Sequence, residues 1–325
     1  MSAERPLHRF AHEAMTTAFE VVIAGQPLPY ARQAAQAVFS EIDRLEGLLS
    51  RFAPGSDISQ INRLQPGDSV RVSADVFECL RIAARVHAET SGAFDPTVGA
   101  LMDARQKPEP HRSAPGHAGM NGLELREIRY TPPEAEADAG LEKPPEVPKA
   151  FVVSFRDIQG RACSGGLSLD LGGIGKGFAL DRVVPILEDW AVEDALIHAG
   201  TSTALALGSA GEMGRPGWPV GVGGEWSRTV GIERIFLHNT ALSRSGIEVK
   251  GRHVLDPRTG KPAVGHLTAW VRCPAAALAD ALSTAFLVMN TEEVEAYCLQ
   301  HPDVSALLVT EGGDTPGVHR FGVWD

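Results

Sequence analysis

The chain has 325 residues, 43% of them hydrophobic, and a formal net charge of −11. That is enough apolar sequence to bury a substantial core, as one large domain or as two closely packed lobes. The acidic balance argues against a nucleic-acid-binding surface, because phosphate backbones are held mainly by clustered Lys and Arg.

The first ten residues contain no apolar h-region and no cysteine that could carry a lipid, and no later stretch is long enough to span a bilayer. The expectation is a cytoplasmic protein without a transmembrane segment. Thr16 to Ala24 alternates as a strand. Beyond Pro27 and Pro29 an amphipathic helix is predicted over Ala31 to Ser50, with Ala34, Val38, Ile42, Leu45 and Leu49 on one face. A second helix is predicted from an N-cap at Ser73, through Val76, Leu80, Ala83 and Val86 or His87, to a stop at Ser91-Gly92. From about Asp103 to Lys149 the pattern gives way to proline, glycine and charge, with eight of the 22 prolines in this stretch. It reads as a Pro-rich surface insert, partly disordered.

Short apolar runs follow at Phe151 to Gln159, Asp194 to His198, Thr203 to Leu207, Ile235 to Leu237, Leu267 to Arg272 and Val304 to Val309. Helices are predicted between them at about Gly175 to Trp190, kinked by Pro185, and at Ala277 to Met289. Strand runs separated by few but long helices imply an α+β class with large, mostly antiparallel sheets covered by helices. Cys79, Cys163, Cys273 and Cys298 lack C-x-x-C spacing and indicate neither a zinc site nor a disulfide framework.

Five segments carry chemistry. Leu169 to Asp181 passes from a strand-like stretch through Gly172, Gly173 and Gly175 into a helical one, with Lys176 at the turn. Bare backbone N–H groups, a helix N-terminus and a lysine together suit an anion. A P-loop would need Gly at Asp170 and Ser or Thr at Gly177, and the G-x-G-x-x-G spacing is absent. A glycine-rich turn with one solvated lysine is the plainer alternative.

Asp280 and Thr284 lie four apart on a helical segment, so their oxygens share a face and suit Mg2+, with Ser283 a further neutral oxygen. The alternative is an Asp in the first helical turn and a Thr bonded to a backbone carbonyl. Ser243 to Gly246 reads as a turn or helix start offering hard oxygens. Asp256 to Gly260 reads as a β-turn, and His253 before it is either a general base or a structural histidine. Asp95, extended by Pro96, either binds a ligand hydroxyl or caps a helix.

Met15 to Phe19, Leu49 to Phe52 with Ser56 to Asn62, Ser91 to Gly99, Asp170 to Asp181, Ser243 to Gly246, His253 to Gly260 and Asp280 to Thr284, in this order, resemble the FAD:protein FMN transferase family, ApbE. The resemblance implies a single catalytic domain of two lobes over residues 12–325, interrupted by the insert at about 103–149. It implies FAD, the substrate, in a cleft lined by Met15, Phe52, Ala93, Phe94, Asp95, Asp170, Lys176 and Leu255. Mg2+ would take the Gly173 carbonyl with the side chains of Asp280 and Thr284, and Ser283 stands where some members have a further acidic ligand.

The implied reaction moves FMN from FAD to a threonine or serine hydroxyl of an acceptor protein and releases AMP, with Lys176 neutralising charge and His253 as candidate base. With water as acceptor the site would be an FAD pyrophosphatase giving FMN and AMP. A non-catalytic flavin carrier is the reading from another class. Thr16 stands where the family usually has glycine, and Ile197 to Ser202 departs from its usual Asn, apolar, Gly-Gly.

Overall fold

The computed structural model describes residues 5–106, 119–129, 149–156, 167–210, 216–223, 234–247, 254–311 and 316–324. In chain order the elements are β1 (Leu7–Ala14), β2 (Thr17–Ala24), α1 (Leu28–Leu49), α2 (Asp57–Ile61), β3 (Ser69–Val72), α3 (Ala74–Glu89), α4 (Gly99–Gln106), β4 (Leu123–Arg129) and β5 (Lys149–Phe155). Then come α5 (Gly175–Asp189), β6 (Ala195–Ala199), β7 (Thr203–Leu207), β8 (Trp218–Gly221), β9 (Arg234–Leu237), β10 (Thr240–Gly246), β11 (Leu255–Asp256) and β12 (Lys261–Pro262). The last are β13 (His266–Cys273), α6 (Ala276–Val288), α7 (Thr291–Gln300), β14 (Ser305–Thr310) and β15 (Gly317–Phe321).

The main sheet has eight strands in the order β1-β2-β6-β7-β10-β13-β14-β15. Each neighbouring pair is antiparallel. Its central strands read as continuous apolar runs because both faces are covered. Phe19, Val21, Ile197, Leu205, Ala241, Val271 and Leu308 point into the core formed with α1, α5 and α6. Val22, Ala206, Leu242, Trp270 and Val309 point the other way, against Trp218, Ile235 and Leu237 of the β8-β9 pair. The α+β architecture expected from the sequence is present.

Helix α1 buries Ala34, Val38, Ile42, Leu45 and Leu49 as the periodicity requires. It begins at Leu28, because Pro29 serves its first turn instead of preceding it. Ser73 caps α3 by accepting from the Val76 N–H. The chain leaves α3 through left-handed Ser91 (φ 51°) and Gly92 (φ 78°). Pro185 lies inside α5, on its exposed side, and the helix runs on to Asp189.

The insert contains more order than its composition suggests. Within 103–149, α4 continues to Gln106, and β4 pairs with β5 from Leu123↔Phe155 to Arg129↔Lys149. With β3 on the other side of β5 this makes a three-stranded sheet. Leu123 and Leu125 pack on the core while Glu124 and Arg126 meet solvent-side partners, an alternation masked by charge. Residues 107–118 and 130–148 of the insert lie outside the described residues. Cys79, Cys273 and Cys298 are free and buried, and burial pushes the Cys273 and Cys298 thiols up to about 12, so they stay protonated and inert. Cys163 lies outside the described residues.

Candidate active site

One end of the main sheet gathers polar groups from several segments. The β1-β2 turn meets the β6-β7 turn at Gly200, and Thr203 of β7 and Ser243 of β10 reach Asp280 in α6, which in turn holds Gly177 in the first turn of α5. Ser243 to Gly246 is not a turn, as its composition suggested, but the end of β10, paired from Ser243↔Val271 to Gly246↔Thr268. Pairing with β7 and β13 satisfies its backbone and overrides a turn-like composition. Strand alternation then sends the Ser243 and Ser245 hydroxyls toward α6, while Arg244 goes to the opposite face, over Trp270.

Asp280 is buried at 3% exposure in the second turn of α6. Its Oδ2 accepts from the Gly177 N–H at 3.0 Å and lies 3.7 Å from Lys176 Nζ. Its Oδ1 receives the Thr203 and Ser243 hydroxyls, both at 3.3 Å. Ser283 is fully buried, donating to the Asp280 carbonyl at 2.9 Å and sharing a hydrogen bond with Ser245 at 2.9 Å. Half-buried Thr284 donates to the same carbonyl at 3.3 Å and meets Ser245 Oγ at 3.1 Å. The helical back-bond proposed as the plainer alternative for Thr284 is therefore made, and the hydroxyl still faces the site. A Cβ on Gly173 would sit 3.1 Å from Thr284 Oγ1, so the bare backbone of Gly173 lies directly against it.

Several backbone amides of this segment, expected to face an anion, bond within the protein. Gly172 N–H goes to Asp170 Oδ1 (2.8 Å), Ile174 and Gly175 N–H go to the Leu171 carbonyl (3.0 and 2.7 Å), and Gly177 N–H goes to Asp280. These four amides are engaged within the protein. Gly177 is glycine for another reason: a Cβ there would stand 2.1 Å from the Ala276 carbonyl oxygen where α5 and α6 cross. The cation of the segment is Lys176, half-buried, with its Nζ donating to the Gly172 carbonyl at 2.9 Å.

A second group adjoins the first. Asp95 is extended (φ −148°) and buried, and its Oδ1 accepts from Thr97 N–H (2.8 Å) and Thr97 Oγ1 (2.7 Å), which is the capping role. Its Oδ2 lies 3.5 Å from His87 Nδ1. The Pro96 carbonyl accepts the Asp170 N–H at 2.7 Å and the Phe94 ring lies against Gly173, which joins the Ala93 to Asp95 segment to the Asp170 to Gly173 wall. Asp170 Oδ2 is 3.3 Å from Arg51 Nε, and the Arg51 guanidinium covers the Phe52 ring at 4.7 Å. Phe52 is 80% exposed, an aromatic face with one side open.

Leu255 is buried in the β11-β12 hairpin, whose Asp256 to Gly260 turn is closed by the Gly260 N–H on the Asp256 carbonyl (2.8 Å). The hairpin meets the Ser91 segment where Arg258 approaches Gly92. Met15 stands on the β1-β2 turn, half-buried, its N–H donating to Glu46 Oε1 at 2.8 Å. His253 lies outside the described residues. Gly173, Lys176, Asp280, Ser283 and Thr284 thus converge, with the Asp95 and Asp170 wall next to them.

Sequence reasoning missed two supports. The Asn62 side chain pairs with the Leu169 backbone in both directions, at 2.6 and 3.1 Å, and so fixes the segment entering Asp170. Asp181 caps α6 from outside that helix, accepting the Ala276 and Ala277 N–H groups at 2.7 and 2.8 Å. Burial raises the Asp181 pKa, with those two amide bonds opposing the rise.

Comparison with known proteins identifies the family and the fold. The ApbE family model matches residues 15–308. An FAD:protein FMN transferase of Rhodobacter capsulatus is 27% identical over 310 residues, covering 91% of this chain and 54% of the relative, so the chain spans about half of that protein's length. An FAD:protein FMN transferase of Treponema pallidum is 25% identical over 311 residues, covering 89% of this chain and 80% of the relative. Among solved structures, the flavin transferase ApbE of Vibrio cholerae matches with a TM-score of 0.75 at 18% identity, over 98% of this chain and 97% of that one, a likeness of fold. The ApbE protein of Thermotoga maritima matches with a TM-score of 0.72 at 25% identity, over 97% of each chain.

Proposed function

We propose, since this chain belongs to the ApbE family, that it moves FMN from FAD to a threonine or serine hydroxyl of an acceptor protein and releases AMP. The observation that carries the reading is the convergence of Asp280, Thr284, Gly173 and Lys176 at one end of the sheet.

The donor set suits Mg2+. A carboxylate, a hydroxyl and a backbone carbonyl are hard oxygen ligands with a single charge among them, which is how Mg2+ is held when water and substrate phosphates complete its octahedron. Asp280, Thr284 and the Gly173 carbonyl would hold it. Ser283, fully buried with its hydroxyl on the Asp280 carbonyl and on Ser245, borders the site as a further neutral oxygen. Bound there, Mg2+ supplies charge neutralisation and Lewis acidity at the diphosphate.

The protein's own groups supply the rest. Lys176 places a positive charge beside Asp280, where it meets the diphosphate of FAD. Phe52 offers its open face to an aromatic ring of the substrate, steadied by Arg51, and Asp95 and Asp170 border the same cleft. The acceptor oxygen attacks the FMN phosphorus, the bond to the AMP phosphate oxygen breaks, and the hydroxyl proton passes to His253, the proposed base.

The test incubates the protein with FAD, Mg2+ and a candidate acceptor protein. Flavin fluorescence that survives a denaturing gel, with stoichiometric AMP, is the expected result. AMP and free FMN without labelled protein would make it an FAD pyrophosphatase, and bound FAD with neither product would make it a carrier.

A further inference from the structure

Helices α5 and α6 hold each other by exchanging carboxylates. Asp181, in α5, accepts the Ala276 and Ala277 N–H groups at the start of α6 at 2.7 and 2.8 Å. Asp280, in α6, accepts the Gly177 N–H near the start of α5 at 3.0 Å. Gly177 and Asp181 are one turn apart on their helix, and Ala276 and Asp280 one turn apart on theirs. One turn of each helix is therefore enclosed between two carboxylate–amide clasps. The residue at the head of α6, Ala275, has no side-chain acceptor, so the first amides of α6 depend on Asp181. Close approach is possible because Gly177 has no Cβ to meet the Ala276 carbonyl.

We propose that Asp181 is a positioning residue for the Asp280 site. By fixing the first turn of α6 against α5, it sets the position at which the Asp280 carboxylate and the Thr284 hydroxyl stand relative to Gly173 and Lys176. The remaining contacts on Asp280 Oδ1 are two hydroxyls at 3.3 Å, which are too long to fix it alone. Nothing in Asp181 itself reaches the site, so its effect runs through the helix. The activity arm of the test rests on the reading above, and the exchange arm does not.

The full chain is compared as wild type, Asp181→Ala and Asp181→Asn, the last keeping one acceptor oxygen. The first readout is AMP release from FAD as Mg2+ is varied. Half-saturating Mg2+ is expected to rise about 10- to 100-fold in Asp181→Ala and less in Asp181→Asn, with the rate recovered at high Mg2+ and half-saturating FAD unchanged there. The second readout is amide exchange at Gly177 without FAD or Mg2+, which reports on Asp280, a side chain Asp181 does not touch. It is expected to quicken in both variants. Wild-type Mg2+ dependence in both variants, or a lower melting temperature with unchanged Gly177 exchange, would reduce Asp181 to an ordinary cap. If Asp181→Ala does not fold, Asp181→Asn decides by the same two readouts. If the wild type releases no AMP, the proposed function fails and the exchange result alone judges Asp181.

Discussion

Two glycines two residues apart in the same helix should respond to alanine with opposite signs. In Gly177→Ala the new Cβ would fall 2.1 Å from the Ala276 carbonyl oxygen, 2.6 Å from its carbon and 2.8 Å from Asp280 Cβ. Two of these atoms are backbone, so α5 and α6 must separate by roughly an ångström to reach ordinary contact. Overpacking of this kind costs about 1–3 kcal/mol. The separation also stretches the Gly177 to Asp280 hydrogen bond, and a bond to a charged acceptor contributes about 1.5–3 kcal/mol. Better helix propensity returns about 1 kcal/mol.

The net expectation is a loss of about 2–4 kcal/mol, which for a chain of this length lowers the melting temperature by about 3–6 °C. In Gly175→Ala the nearest atom is Leu171 Cβ at 3.8 Å, an ordinary contact. That variant should be neutral or stabilised by up to about 1 kcal/mol. Differential scanning calorimetry of both, with AMP release measured below the transition, reads the difference. Equal melting temperatures for the two variants would refute the assignment of Gly177 to a helix crossing.

Asp280→Asn keeps the shape and removes the charge beside Lys176; AMP release is expected to fall by more than about 100-fold in a titration with Mg2+, with the circular dichroism spectrum unchanged. Thr16 is β-branched and left-handed (φ 61°), so Thr16→Gly should stabilise the β1-β2 turn by about 1 kcal/mol, raising the thermal midpoint by about 1–2 °C. Burial lowers the His266 pKa below its ordinary 6.5, the hydrogen bond to the Phe286 carbonyl opposing this and His319 adding to it. The folded state then keeps the ring neutral while the unfolded chain protonates, so His266 contributes stability above pH 6.5 that is lost as pH falls from 6.5 through the lowered folded-state value. Urea midpoints across that range should fall less steeply for His266→Gln than for the wild type.

Where the sequence carried a strong period, as in α1 and α3, it placed the elements and their buried faces closely, and the Ser73 cap and the Ser91-Gly92 exit were readable from residue type alone. It failed where composition and position disagree. Ser243 to Gly246 looks like a turn and lies in the middle of a sheet, and β4 hides its two buried leucines among charges. The order of motifs located Gly173, Lys176, Asp280 and Thr284 in one site. It could not show that Gly177 serves a helix crossing, or that Asn62 and Asp181 brace the site. Those contacts join residues 107 and 95 positions apart, and no local pattern records them.

The β1-β2 hairpin has its next neighbour in the sheet far downstream, since Phe19 pairs with Ala199. During synthesis the hairpin must therefore wait, its inner edge without a partner, until β6 leaves the ribosome. At about 5–20 residues per second that delay is roughly 10–40 s. Nascent chains arrested just before β6 should expose this hairpin to protease and to chaperone capture, and chains arrested after β7 has emerged should protect it. Protection of the hairpin in the shorter chains would show that it docks by another route.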